Sequence, residues 1–192
     1  MRAQSDSSWP RPFLYTREQF REMCRLGFFD GARVELISGR LSELPPPDEA
    51  HVVGRRKTVV ELERAFVGVA WVGAANPFDL AHSEPRPDVT VFAGRFEEYT
   101  THPTTALIVI EVADTTLAFD TTTKAELYAT AGIADYWVLD VTSRQLHVFR
   151  DPQHNATLEA TAYQTHDTFG PNDSISPLAA PGATVRVGEL LP

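Results

Sequence analysis

Two carboxylates and one lysine carry the chemistry most legible in this chain. Glu111 is the only charge in the run Ala106-Leu107-Ile108-Val109-Ile110-Glu111-Val112-Ala113, which otherwise has the pattern of a strand covered on both faces. An ionised carboxylate in such a strand is costly unless a cation or several donors compensate it. Upstream, Pro87-Asp88-Val89-Thr90-Val91-Phe92 sets a second acid at the start of another β-rich run, and downstream Lys124 falls on the apolar stripe of a helix-like segment. Two acids and a lysine in that order point to a metal-dependent site for phosphate chemistry. Hard divalent cations take oxygen ligands, and Mg²⁺ is typically held by one or two carboxylates, with water and phosphate completing its shell.

These groups need particular elements to bring them together. Alternate residues of a strand share a face, so Glu111 should share one with Leu107, Val109 and Ala113, leaving Ile108, Ile110 and Val112 on the other. The 23 positions from Asp88 to Glu111 allow one strand, a loop and a return to a neighbouring strand. A helix expected from Thr121 to Ala131, stopped by Gly132, aligns Lys124 with Leu127, Tyr128 and Ala131, away from Glu126 and Thr130. From there its ammonium could hold an attacking water and offset transition-state charge. Plainer readings stand beside this one: Glu111 paired with an arginine, Asp88 in a turn, and Lys124 snorkelling at the helix margin. Glu35, beside Arg33, is either a site residue or half of a strand-edge ion pair. His51 reads as structural, Asp114 and Asp120 as turn or capping residues, Cys24 as a core residue, and Arg55-Arg56-Lys57 as a solvated helix face.

The rest of the chain supplies the frame. Residues 1–12 read as a loose polar arm ahead of a domain over 13–192. Thr16 and Gln19 have capping-box spacing for a helix ending near Gly27. Two β-like runs, 33–37 and 40–44, flank Ser38-Gly39 as a hairpin. After Pro45-Pro46-Pro47 a helix is expected from Glu49 to Phe66, with Val52, Val59, Leu62 and Phe66 as its core positions. Short strands are expected at 69–72 and 78–81, two more at 136–140 and 145–149, and a further short strand and proline-rich loop in the last forty residues. Strands interleaved with helices indicate an α/β domain with a mixed sheet.

Bulk composition narrows the classes. At 192 residues, 43% hydrophobic and 22% charged, the chain suits one folded domain with a real core. No apolar run approaches the roughly 18 residues of a membrane span, and no hydrophobic stretch follows Arg2 as a secretory signal would require. One cysteine fits a reducing cytoplasm. A net charge of −9 argues against a general nucleic-acid coating protein, though not against an enzyme with a local basic strip. Gly-rich phosphate loops, paired-cysteine zinc motifs and the Gly-x-Ser-x-Gly elbow are absent, and the histidines at 51, 82, 102, 147, 154 and 166 lack helical metal spacing.

In order along the chain, Thr16-Arg17-Glu18-Gln19-Phe20, Arg33 to Leu41, His51, Pro87-Asp88-Val89, Leu107 to Val112, Lys124 to Tyr128, Gly132 to Asp140 and Pro181-Gly182 form a family pattern. With it the chain resembles the bacterial Uma-two family of the PD-(D/E)xK, or restriction-endonuclease-like, superfamily, from about Tyr15 to Leu191. The resemblance implies an α/β/α sandwich around a central mixed sheet, with an N-terminal helix and β-hairpin. It also implies a Mg²⁺-dependent endodeoxyribonuclease, with Mn²⁺ as a substitute. Asp88 and Glu111 would be the metal ligands, Lys124 the catalytic lysine, and Glu35 an added ligand or water-orienting acid. The plain motif places its lysine two residues after the second acid, where this chain has Ala113; the Uma-two pattern moves it to the next helix, at Lys124. Ala113-Asp114-Thr115-Thr116 replaces the usual serine-proline after Glu-Val-x. The expected partner is nucleic acid, DNA before RNA, with a homodimer compatible. The rivals are an inactive nuclease fold kept for nucleic-acid or protein binding, and a buried ion-pair cluster sealed from solvent.

Overall fold

Local chemistry sets the first elements. In the computed structural model, which describes residues 10–156 and 160–192, helix α1 spans Arg17–Arg25 behind a reciprocal capping box. The Thr16 hydroxyl accepts from the Gln19 amide, and the Gln19 side chain accepts from the Thr16 amide. Strands β1 (Arg33–Ile37) and β2 (Arg40–Leu44) pair as the expected hairpin. Its two-residue turn takes positive φ at both Ser38 (49°) and Gly39 (76°), the twist that joins antiparallel strands without splaying them.

Helix α2 (Glu49–Ala65) is capped by Asp48, whose carboxylate accepts from the His51 amide at 2.7 Å. Its buried stripe matches the expectation at Leu62 and Phe66 and departs from it earlier in the helix. His51, Gly54, Thr58 and Leu62 face inward, while Val52 and Val59 are only half-buried. The reason is proximity. A methyl group at Gly54 would lie 3.3–3.5 Å from Val141, Val112 and Leu139, so the first half of the helix rests on the sheet through small residues, and Leu62 and Phe66 take over further along.

The sheet has six strands in the order β3 (Ala70–Ala74), β4 (Val89–Ala93), β5 (Ile108–Ala113), β6 (Asp135–Asp140), β7 (Gln145–Asn155) and β8 (Ala160–Phe169). Only β5 and β6 run parallel, so a helical crossover must join them. That crossover is α3 (Leu117–Phe119), a π-helical turn (Asp120–Lys124) and α4 (Ala125–Thr130). It starts four residues before the expected Thr121. Thr121 and Thr122 turn their hydroxyls onto the carbonyls of Leu117 and Ala118, competition that disturbs regular helical bonding. Gly132 ends the crossover at φ 75°.

Alternation divides the core as expected within β5, but Leu107, one residue before the strand, packs with Ile108, Ile110 and Val112 and not on the face of Glu111. Ile108, Ile110 and Val112 pack with Leu62, Phe66 and Leu190 on one face, and Val109 and Ala113 pack with Ala125 and Tyr128 on the other. Helices therefore cover both faces of a mixed sheet, as the α/β/α expectation required. Strands β9 (Ser174–Ile175) and β10 (Val185–Arg186) pair separately, and α5 (Val187–Leu190) closes the chain.

Several details correct the sequence reading. Residues 78–81 form no strand, only a bridge between Leu80 and Ser83. The C-terminal region holds the ten-residue edge strand β8 rather than a short one. Cys24 is exposed and not in the core. Most of the expected N-terminal arm, residues 1–9, lies outside the described residues. Among the described residues no helix is long and apolar enough to cross a membrane.

Candidate active site

Strand pairing brings the two acids together. Val89 stands opposite Ile110, so Asp88 falls one step beyond the last pair, opposite Glu111, and directly opposed residues share a face. Asp88 is held at that edge by two donors. Its Oδ2 accepts from the Val112 amide at 2.9 Å, and its Oδ1 lies 2.8 Å from His51 Nε2.

Lys124 reaches the same place from the π-helical turn. Its Nζ donates to Glu111 Oε1 at 2.9 Å and lies 3.1 Å from Glu35 Oε2 and 3.9 Å from Asp120 Oδ1. A second donor, the Tyr128 hydroxyl, meets the same Glu111 Oε1 at 2.8 Å. Glu35 arrives from β1, its Oε1 also accepting from the Arg86 amide at 3.0 Å, and its Oε2 is buried without a hydrogen bond. All four residues proposed from the sequence, Asp88, Glu111, Lys124 and Glu35, thus lie in one neighbourhood, each no more than 3% exposed. Asp88, Glu111 and Lys124 line a narrow cleft of about 30 Å³ whose outer wall is Pro45 to Asp48 and Asp114 to Thr116, space for a bare cation or one or two waters.

The electrostatics follow from four acids around one ammonium. Burial pushes the Glu111 carboxyl well above the ordinary carboxylate range; Lys124 opposes this, while Asp120, Asp88 and Glu35 add to it. Burial likewise pushes Asp120 up to about 6, against the pull of Lys124 and the Thr116 hydroxyl. Burial would raise Asp88 too, but His51, the Val112 amide and Lys124 together hold it below its usual value. Burial alone would lower the Lys124 ammonium; Glu111, Glu35 and Asp120 more than reverse that, so it stays charged. The cluster therefore carries more negative than positive charge, and its donors are oxygens. That set suits a hard divalent cation.

Three neighbours of this cluster were not read as site residues from the sequence. His51 contacts Asp88, Asp120 is buried beside Lys124 rather than capping a turn at the surface, and Tyr128 binds Glu111. For His51 the usable signal was its place directly after the proline break. Arg33 does not pair with Glu35; its guanidinium donates to the Pro45 carbonyl. The supposed solvated basic face is largely engaged: Arg55 turns to within 3.9 Å of Asp88, and Lys57 donates to the Leu191 carbonyl, while Arg56 makes no such contact among the described residues. Asp114 accepts from the Thr142 hydroxyl. Among the described residues, the trio of possible ligand atoms lying within 4.8 Å of one another is elsewhere, at Asp79, Glu84 and His102. Arg17 and Arg21 already neutralise that trio, at 2.5 to 2.8 Å, which makes it a clasp between α1 and the loop before β4.

Comparison with known proteins agrees with this architecture. A family model described as "Putative restriction endonuclease" matches residues 17–188. A solved structure described as a putative nuclease belonging to DUF820, from Anabaena variabilis, superposes with a TM-score of 0.72 at 17% identity, covering 91% of this chain and 96% of that one. At that identity the likeness establishes the fold. Comparison with curated proteins gave no match. With residues 17–188 inside the family model, and a mixed sheet flanked by helices to support them, the chain belongs to the Uma2 family.

Proposed function

We propose that the chain is a divalent-metal-dependent nuclease hydrolysing phosphodiester bonds, with DNA as the first substrate to test. One observation carries the reading: a buried lysine from the crossover helix meets Glu111 at 2.9 Å, on the sheet face that also bears Asp88, at the floor of a cleft. Asp88 and Glu111 would hold the cation. The Lys124 and Tyr128 donors to Glu111 both fall on Oε1, which leaves Oε2 for it, and each Asp88 oxygen keeps a second lone pair. Bound there, Mg²⁺ or Mn²⁺ would polarise a non-bridging phosphate oxygen and offset charge on the leaving oxygen.

The protein's own groups do the rest. Lys124, fixed by Glu35 and Glu111, orients the attacking water and opposes negative charge developing on the phosphoryl group. Tyr128 fixes the Glu111 carboxylate, and His51 fixes that of Asp88, so neither must reorganise as charge builds. The unpaired Cys24 fits a cytoplasmic setting, and a homodimer is compatible with this reading.

The test is incubation with plasmid, linear and single-stranded DNA, with Mg²⁺ or Mn²⁺, beside a chelator control and Asp88→Ala. The expected result is cleavage that both the chelator and the substitution abolish. Cleavage unchanged in Asp88→Ala overturns the mechanism. A second reading, a buried ion-pair cluster inside a nuclease fold kept for binding, draws on the 2% exposure of Lys124. Nucleic-acid binding without cleavage under any of these metals would favour it.

A further inference from the structure

A larger cavity of about 320 Å³ lies beside the cleft and shares Arg33 and Leu44 with it. Arg33, Arg55 and Arg86 all line it, together with Phe29, Asp30 and Glu35. This concentrates three guanidinium groups in a chain whose net charge is −9. They come from three separate elements: β1, α2 and the loop before β4. Among the described residues Arg33 and Arg86 enter no ion pair, and Arg55 has only a 3.9 Å contact with Asp88. Of the two acids in the wall, Glu35 is already matched by Lys124, leaving Asp30 against three cations.

We propose that this cavity is a phosphate subsite for the substrate strand, holding a phosphate next to the scissile one. The inference rests on the nuclease reading above and deepens it. Guanidinium forks match phosphate oxygens bidentately. Arg55 touches both compartments, since it lines the cavity and approaches Asp88, so an anion held there sits beside the acid assigned to the metal. The half-buried Phe29 ring offers an apolar surface on which a base can stack. The ligand is a nucleotide phosphate, either internal to a strand or at its end.

The experiment is titration of the full chain, in chelator, with a short single-stranded oligonucleotide bearing or lacking a 5′-phosphate, over a range of salt concentrations. It is repeated on Arg33→Gln, Arg86→Gln and the double variant, with inorganic phosphate as competitor and melting curves to confirm folding. We expect about tenfold weaker binding in the double variant, and a shallower dependence of log K on log salt, by about 0.7 for each phosphate that is no longer neutralised. Preference for the phosphorylated oligonucleotide assigns the subsite to a strand end, and equal binding assigns it to an internal phosphate. If folded arginine variants bind like the parent while the parent still cleaves DNA with Mg²⁺, the subsite is refuted and the nuclease reading survives. If the parent neither binds nor cleaves any nucleic acid, both fall.

Discussion

An ammonium stripped of water survives only where acids replace its hydration, and Lys124 has three within 3.9 Å. Removing it leaves those acids buried with no cation, the kind of change that costs about 3–5 kcal/mol. Lys124→Met should therefore lose stability of that order in urea at pH 8 and less at pH 5, because burial already raises the Glu111 carboxyl and loss of the ammonium raises it further. An equal loss at both pH values would contradict this account. Asp120 gives a second test. Its carboxyl is raised from 3.8 to about 6, so between those values the folded chain binds a proton that the unfolded chain has lost. Stability from this group then falls as pH rises from about 4 to 6, by roughly 1–3 kcal/mol. Asp120→Asn removes that slope while keeping an acceptor for the Thr116 hydroxyl, and its melting temperature should gain on the parent's from pH 4 to pH 7. A difference that stays constant with pH would refute it. Glu111 was legible as a lone charge in an apolar run, Asp88 as an acid opening another, and Lys124 as a cation on an apolar helix stripe, whereas Glu35 stayed open between site and ion pair until the family pattern favoured the site. His51, Asp120 and Tyr128 were not, since each is common in caps, turns and cores, and His51 and Tyr128 find their meaning only through acids brought in by other elements.

At the scale of elements, small residues and irregular turns place the site. Gly54 lets α2 lie against β5 and β6, which puts His51, one turn earlier, beside Asp88. Gly54→Ala should be nearly neutral, because better helix propensity offsets a close approach at 3.3 Å. Gly54→Val should cost about 1–3 kcal/mol through overpacking and lower DNA cleavage as His51 shifts. Calorimetry together with cleavage rates checks both substitutions, and a fully active, equally stable Gly54→Val would count against the close approach. The capping box at Thr16 and the Ser38-Gly39 hairpin were readable because their determinants sit within a few residues. The crossover was misread at its start because a Thr-Thr-Thr run gives no periodicity from which to infer a π-helical turn. The earlier part of the buried stripe of α2 was misread because Gly, Thr and His do not look like core residues until the sheet they touch is known.

Across the whole molecule, the sheet order follows from which strands could be hairpins and which needed a crossover. The single parallel pair, β5 with β6, was implied by the helical segment between them. Strand β8 was not foreseen, because its exposed threonines, histidine and aspartate carry little of the alternation that marks a half-buried strand. Its polarity has a use. An outer strand ten residues long offers an unpaired backbone ladder, and charged or polar side chains discourage other chains from adding to it. The acidic balance and the local basic cavity are likewise compatible. Net charge describes the whole surface, whereas recognition depends on where three arginines gather.

The contact between Glu35 and Lys124 joins positions 89 residues apart. Closing so long a loop is entropically late in any folding sequence dominated by nearer contacts. A chain still leaving the ribosome would thus have released its hairpin, second helix and strands β3 to β5 before this lysine arrived. Whatever reactivity the cluster has would be withheld from every incomplete form of the polypeptide.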